Sequence, residues 1–368
     1  MMKTYDIAAY VWPAYTGDEM RTRIFWPEGI GEWQTVKNMK NKGDYEWKRK
    51  PLWGYVNEAD PYVMEMEIEA ATDHGVNVFI YDWYWYDNRP FLENCLNDGF
   101  LKAKNHDKMK FYLMWANHDA NTLWDRRISG QNTTIWEGSV SQEQFYTIGK
   151  RWIDQYFQLP CYYKIDGKPV VSIYDIANFI NGMGGIEQAR NALTWLREEA
   201  VRAGLPGVHV QMIKLGDNKL NLSGVDGSTM NISQIEALHE LRFDSCTHYQ
   251  YVHFTDINRN HQEILPDVVK EWNDIRQQTK IEYFPHVSVG WDNNPRYFEF
   301  HPRVMKNNTP AEFEKALQQA KAFSDQYNTV PLITINSWNE WTETSYLEPD
   351  NVYGYGYLEA IKRVFFKD

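Results

Sequence analysis

Glu340 and Glu343 stand three residues apart in the run Asn336-Ser337-Trp338-Asn339-Glu340-Trp341-Thr342-Glu343, directly after the apolar stretch Leu332-Ile333-Thr334-Ile335. Two carboxyls interleaved with indoles suit the cleavage of a glycosidic bond. The oxocarbenium-like transition state needs one group to protonate the departing oxygen and another to handle charge or a proton on the sugar side. Carboxyls in different surroundings can divide those tasks, and flat indoles can stack on sugar faces while excluding water. Side chains at i and i+3 share one face of a helical turn, so both carboxyls could enter one cleft and their mutual repulsion would raise one pKa. An E-x-x-E on an ordinary solvated helix means little. This one follows a β-like run and sits among aromatics rather than lysines and arginines.

Such a pair needs a scaffold. Apolar runs bounded by turn residues recur eight times, at 5–11, 76–82, 110–116, 169–174, 207–213, 244–249, 281–290 and 331–337. Helix-like stretches lie at 61–74, 91–106, 141–157, 185–203, 230–242, 261–279, 309–327 and 356–366. Strand then helix, eight times, predicts an α/β fold of the (β/α)8 TIM barrel type, one domain over 1–368, with a long insertion after strand 1 at about 12–57. Asp60-Pro61 and Thr309-Pro310 read as helix entries, and Gly75 as a helix exit. An open doubly wound sheet would carry a glycine-rich turn after its first strand, where this chain has Trp12-Pro13-Ala14-Tyr15.

Barrel enzymes assemble their chemistry at the carboxyl ends of the strands. Here those ends offer stacking and hydrogen-bonding groups, which together describe a polar cleft for a hydroxyl-rich ligand. The candidate substrate-binding residues are Tyr10 and Trp12 from strand one, Asp82, Trp83 and Tyr84 from strand two, and Trp115, Asn117 and His118 from strand three. Tyr249 and Tyr251 follow strand six, Trp291 and Asp292 strand seven, and Asn336, Trp338 and Trp341 strand eight. Singly, each has a plainer reading. Trp83 and Tyr84 suit rim packing, Asp292 a turn before Pro295, and a lone His118 a structural hydrogen bond.

Composition narrows the partners. A net charge of −12 with no Lys/Arg cluster argues against nucleic acid. Three scattered cysteines and no C-x-x-C or H-x-x-x-H spacing indicate neither a disulfide framework nor a metal site, and no cofactor motif is present. No apolar run is long enough to span a bilayer. The expected partner is an oligosaccharide or polysaccharide, bound by a chain in which 16 residues are Trp and 24 are Tyr. Localisation stays open between the cytoplasm and, if an export signal has been removed, the periplasm or cell surface.

At these residues the chain resembles glycoside hydrolase family 99 and its larger relative, the WbsX-type family associated with polysaccharide synthesis. The resemblance runs over nearly the whole chain, through Ala9-Tyr10, Gly31-Glu32-Trp33, Asp60-Pro61-x-Val63-Met64, the cluster 81–86 and Trp115-Ala116-Asn117. Its longest motifs are Gly290-Trp291-Asp292-Asn293-x-Pro295-Arg296 and Trp338-Asn339-Glu340-Trp341-x-Glu343 with Leu347-Glu348-Pro349. It implies a metal-independent barrel hydrolase, and for family 99 proper a retaining endo-α-mannosidase working through a 1,2-anhydro sugar. Glu340 would then be the base at the sugar 2-hydroxyl and Glu343 the general acid/base. His118 stands where WbsX-type sequences commonly carry Glu, which points to a glycone other than mannose; rhamnose shares its axial 2-hydroxyl. Sugar transfer from a nucleotide donor and non-catalytic glycan binding are the competing functions.

Overall fold

The computed structural model describes residues 4–366 apart from 18, 217, 218 and 224–228. All eight expected runs form strands: β1 (Asp6–Val11), β2 (Val78–Tyr86), β3 (Lys110–Trp115), β4 (Lys168–Ile173), β5 (His209–Ile213), β6 (Ser245–Thr247), β7 in two pieces (Glu282–Tyr283 and His286–Ser288) and β8 (Leu332–Asn336). They pair in parallel in the order β7-β6-β5-β4-β3-β2-β1-β8-β7, the two pieces of β7 occupying the two ends. Pro285 explains the break, because it has no N–H to give a ladder. On one side of it Phe284 N–H donates to Cys246 (2.9 Å), and on the other the Pro285 carbonyl accepts from Thr334 N–H (3.1 Å). The interrupted strand therefore closes the cylinder.

The helices are α1 (Pro61–Asp73), α2 (Gln142–Trp152), α3 (Ile176–Met183), α4 (Ile186–Arg202), α5 (Gln234–Glu240), α6 (His261–Thr279), α7 (Pro310–Tyr327) and α8 (Gly356–Phe365). Asp60 and Thr309 cap α1 and α7 as their positions predict. Two expected helices are corrected. The stretch 91–106 is a wide π turn at Cys95–Gly99 followed by short 3-10 turns; a Cβ on Gly99 would lie 2.0 Å from the Glu58 carbonyl oxygen, so the chain is pressed against the loop before α1. The stretch 230–242 begins as a strand, Thr229–Ser233 paired with Lys219–Ser223, and turns helical only after the Ser233–Glu236 capping box.

The barrel interior is polar and hydrogen-bonded. Tyr112 and Ser172 both donate to Gln211 Oε1, and the Thr334 hydroxyl meets Thr247 and His286. Buried polar groups satisfied in this way fix one arrangement of strands. Among its described residues the insertion at 12–57 carries short helical turns, Met20–Ile24 and Trp33–Lys37. No helix among the described residues is long and apolar enough to cross a membrane.

Candidate active site

The chain leaves β8 through a cis peptide between Asn336 and Ser337 and folds into a tight hairpin, Asn339–Glu340 against Ser345–Tyr346, with a 3-10 turn at Trp341–Glu343. Ser337 Oγ ties it together, accepting from Glu340 N–H (2.8 Å) and donating to the Ser345 carbonyl (2.5 Å). Trp338, Asn339 and Trp341 donate to the buried carboxyls of Glu67, Glu58 and Glu348. Glu340 and Glu343 face the other way, into a cavity of about 260 Å³ at the carboxyl ends of the strands.

One guanidinium organises that cavity. Arg296, brought in by a 3-10 turn after β7 and 3% exposed, donates through Nη1 to Glu343 Oε1 (2.6 Å) and through Nη2 to Glu340 Oε1 (3.4 Å). Its Nε and Nη2 also grip both oxygens of Glu32 (2.9 and 3.2 Å), and Glu32 in turn accepts from Trp12 Nε1 (2.6 Å) and Thr342 Oγ1 (2.9 Å). Such bidentate pairing is the geometry in which a buried arginine is well compensated. The Tyr249 hydroxyl lies 2.9 Å from Asp82 Oδ2 and 3.0 Å from Glu340 Oε2.

The two carboxyls differ in their surroundings. Both oxygens of Glu340 are engaged, whereas Glu343 Oε2 is buried without a partner. Burial pushes the Glu340 pKa up, against the pull of Arg296 and the Tyr249 hydrogen bond. Glu343 is pushed well above the ordinary carboxylate range by burial and by the Glu340 charge, with Arg296 opposing. Burial and the same neighbour raise Asp82, whose Oδ1 is also unpartnered. Burial lowers His118, and holds His253 down at about 4, so both imidazoles are neutral near pH 7.

Of the expected residues, Trp12, Asp82, Tyr84, His118, Tyr249, Trp291, Glu340 and Glu343 line this one cavity. The others lie outside it. Trp83 donates to Glu93 (2.7 Å) and packs on Trp152, and Trp115 packs between Phe145 and Phe179, both on the helix side of the sheet. Tyr10 is inside the barrel, its hydroxyl on the His248 carbonyl (3.0 Å), and Tyr251 packs on His261 and His286. Asn117 clamps the ends of β3 and β4, exchanging two 2.7 Å hydrogen bonds with the Asp175 backbone. Asp292 shapes the turn leading to Arg296, and Asn336 accepts from Gln250 (2.8 Å) beneath the hairpin. Trp338 and Trp341 offer no face to the cavity, so the indoles of the motif are anchors.

Glu32 and Arg296 are central to the site and carried no assignment from sequence. Both sit in motifs of the family resemblance, but their contact joins positions 264 residues apart and no local pattern announces it. Tyr174, Trp124 and His253 complete the aromatic wall.

The sequence matches the family described as Glycosyltransferase WbsX over residues 7–361. It is 22% identical over 356 residues to protein WxcX of Xanthomonas campestris pv. campestris, covering 92% of this chain and 46% of that one. The chain thus spans less than half the length of its curated relative. A glycoside hydrolase-like protein aligns with a TM-score of 0.63 at 14% identity, over 100% of this chain and 95% of the other. The GH99 endo-α-mannosidase from Bacteroides thetaiotaomicron aligns with a TM-score of 0.58 at 13% identity, over 99% and 97%. These likenesses are of fold and agree with the barrel. Because the family match runs almost end to end, the chain belongs to the WbsX family.

Proposed function

We propose that the protein is a retaining glycoside hydrolase, cleaving α-glycosidic bonds of a mannoside-like or rhamnoside sugar with an axial 2-hydroxyl in a polysaccharide or glycan, with residues 1–368 acting as one catalytic unit. The observation that carries this reading is the unequal treatment of two carboxyls in one cavity: Glu340 is held at both oxygens, Glu343 at one. Ionised Glu340 takes the proton of the sugar 2-hydroxyl, whose oxygen attacks the anomeric carbon. Glu343 gives its proton to the departing oxygen as that bond breaks, leaving a 1,2-anhydro sugar. Glu343 then removes a proton from water, which opens the anhydro ring while Glu340 returns its proton to O2. Two inversions give net retention. Arg296 touches both carboxyls and so stabilises whichever of them is ionised at each step, and Trp12, Tyr84, Trp124 and Trp291 supply ring faces and edges for a sugar.

Glu340→Gln and Glu343→Gln should each lower kcat/KM on a cleaved glycan by about 10³-fold or more, with melting temperatures near that of the parent. The substrate is to be found by screening α-mannans, rhamnose-containing and plant polysaccharides for released products. Undiminished turnover in both variants removes the mechanism. The family description favours a second reading, glycosyl transfer from a nucleotide sugar. Among the described residues lining the cavity the one guanidinium, Arg296, is already held by Glu32, Glu340 and Glu343, so a diphosphate finds no free cation there, which speaks against it. Nucleotide-sugar binding by calorimetry would favour transfer. Tight glycan binding with no product after long incubation would favour a non-catalytic barrel.

A further inference from the structure

Trp338, Asn339 and Trp341 flank the two reacting carboxyls, and each donates to a different buried glutamate. Trp338 Nε1 lies 3.0 Å from Glu67 Oε2, Asn339 Nδ2 lies 2.9 Å from both oxygens of Glu58, and Trp341 Nε1 reaches Glu348 Oε2. The glutamates come from the loop before α1, from α1 itself and from the segment after the hairpin, yet one oxygen of each falls within 4.8 Å of the others. Their exposures are 0, 1 and 2% for Glu58, Glu67 and Glu348. Among the described residues no lysine or arginine pairs with any of them. The other titratable groups facing the trio are Cys95, with Sγ 3.6 Å from Glu58 Oε2, and Tyr81. Glu67 Oε1 and Glu348 Oε1 have no hydrogen-bond partner.

Three ionised carboxylates this close, out of water and without a counter-charge, would repel one another strongly. Protons remove the repulsion and leave each group a carbonyl oxygen to accept the indole or amide N–H. We propose that Glu58, Glu67 and Glu348 form a proton-bearing, largely neutral cradle that positions the hairpin carrying Glu340 and Glu343, and that loosens when its protons leave. As a positioning device it rests on the reading of Glu340 and Glu343 as the reacting pair; its charge state does not. Burial raises all three groups, Glu67 to about 8 and Glu58 and Glu348 well above their ordinary range, with mutual repulsion adding for the last two. A folded-state pKa above the unfolded one gives stability that is complete below the ordinary value of 4.5 and lost progressively as pH rises from there through about 8 for Glu67.

Glutamine is a permanently neutral stand-in. The test compares the parent, Glu67→Gln, Glu348→Gln and Glu67→Ala by melting temperature from about pH 6 to about pH 10, with divalent-metal analysis of each purified protein. The parent should lose stability on the alkaline side. The Gln variants should lose less and melt a few degrees higher there, and at low pH their kcat should stay within about twofold of the parent with KM unchanged. Glu67→Ala should melt lower at every pH, because the Trp338 N–H loses its acceptor. A parent melting temperature flat from about pH 6 to about pH 10 would overturn the proposal, as would Gln variants less stable at every pH, or a stoichiometric divalent cation whose chelation lowers the melting temperature. The melting and metal arms need no substrate, so they decide the cradle even if no glycan is ever cleaved.

Discussion

Arg296 is the residue on which the site turns, because its donors are shared among Glu32, Glu340 and Glu343. Replacing it with Leu leaves Glu32, fully buried, without its cation; breaking a buried pair from one side costs about 3–5 kcal/mol. Urea denaturation should record that loss. The proposed catalytic pair, Glu340 and Glu343, also predicts a pH profile. Turnover needs Glu340 ionised, so it falls as pH drops through a pKa that burial has raised; it needs Glu343 protonated, so it falls again as pH climbs through a higher one. The Tyr249 hydrogen bond pulls the Glu340 pKa down. Tyr249→Phe should therefore move the acidic limb of kcat/KM to higher pH. An unmoved acidic limb would mean that Glu340 is not the base.

At the scale of elements, the strands were legible because runs such as Val78-Phe79-Ile80-Tyr81 are buried on both faces and read as unbroken apolar stretches. α1 and α7 were legible because a capping side chain and a proline mark their first turns. What the sequence hides is direction. An indole near a carboxylate looks the same whether it stacks on a sugar or points its N–H at a buried glutamate, which is why Trp338 and Trp341 looked like sugar platforms. Strand alternation separates Trp83 from Asp82 and Tyr84, placing one on the helix side and two in the cavity. Asn117 is a tie between elements: it joins β3 to the start of α3 through the Asp175 and Asn178 backbone and side chain. Asn117→Ala should cost about 1–3 kcal/mol, read by thermal or urea unfolding, because the Asp175 N–H and carbonyl lose their partners together.

For the molecule as a whole, closure of the barrel through the broken β7 brings a β7 loop, a β8 hairpin and the insertion after β1 to one rim, and Arg296, Glu340 and Glu32 arrive from these three places. The chain carries a net charge of −12, and the guanidinium in the cavity is already committed to Glu32, Glu340 and Glu343. A uronate-bearing polysaccharide should therefore bind more weakly than its neutral counterpart, with the difference narrowing as salt is added; equal affinity for both at low salt would contradict this. A small protonated amine should gain from the very field that turns anions away, and a hydroxylated one should compete with a glycan for the cavity. Its occupancy should deepen as the solution becomes less acidic, until the amine itself sheds its proton, so a search for turnover belongs in a buffer without nitrogen.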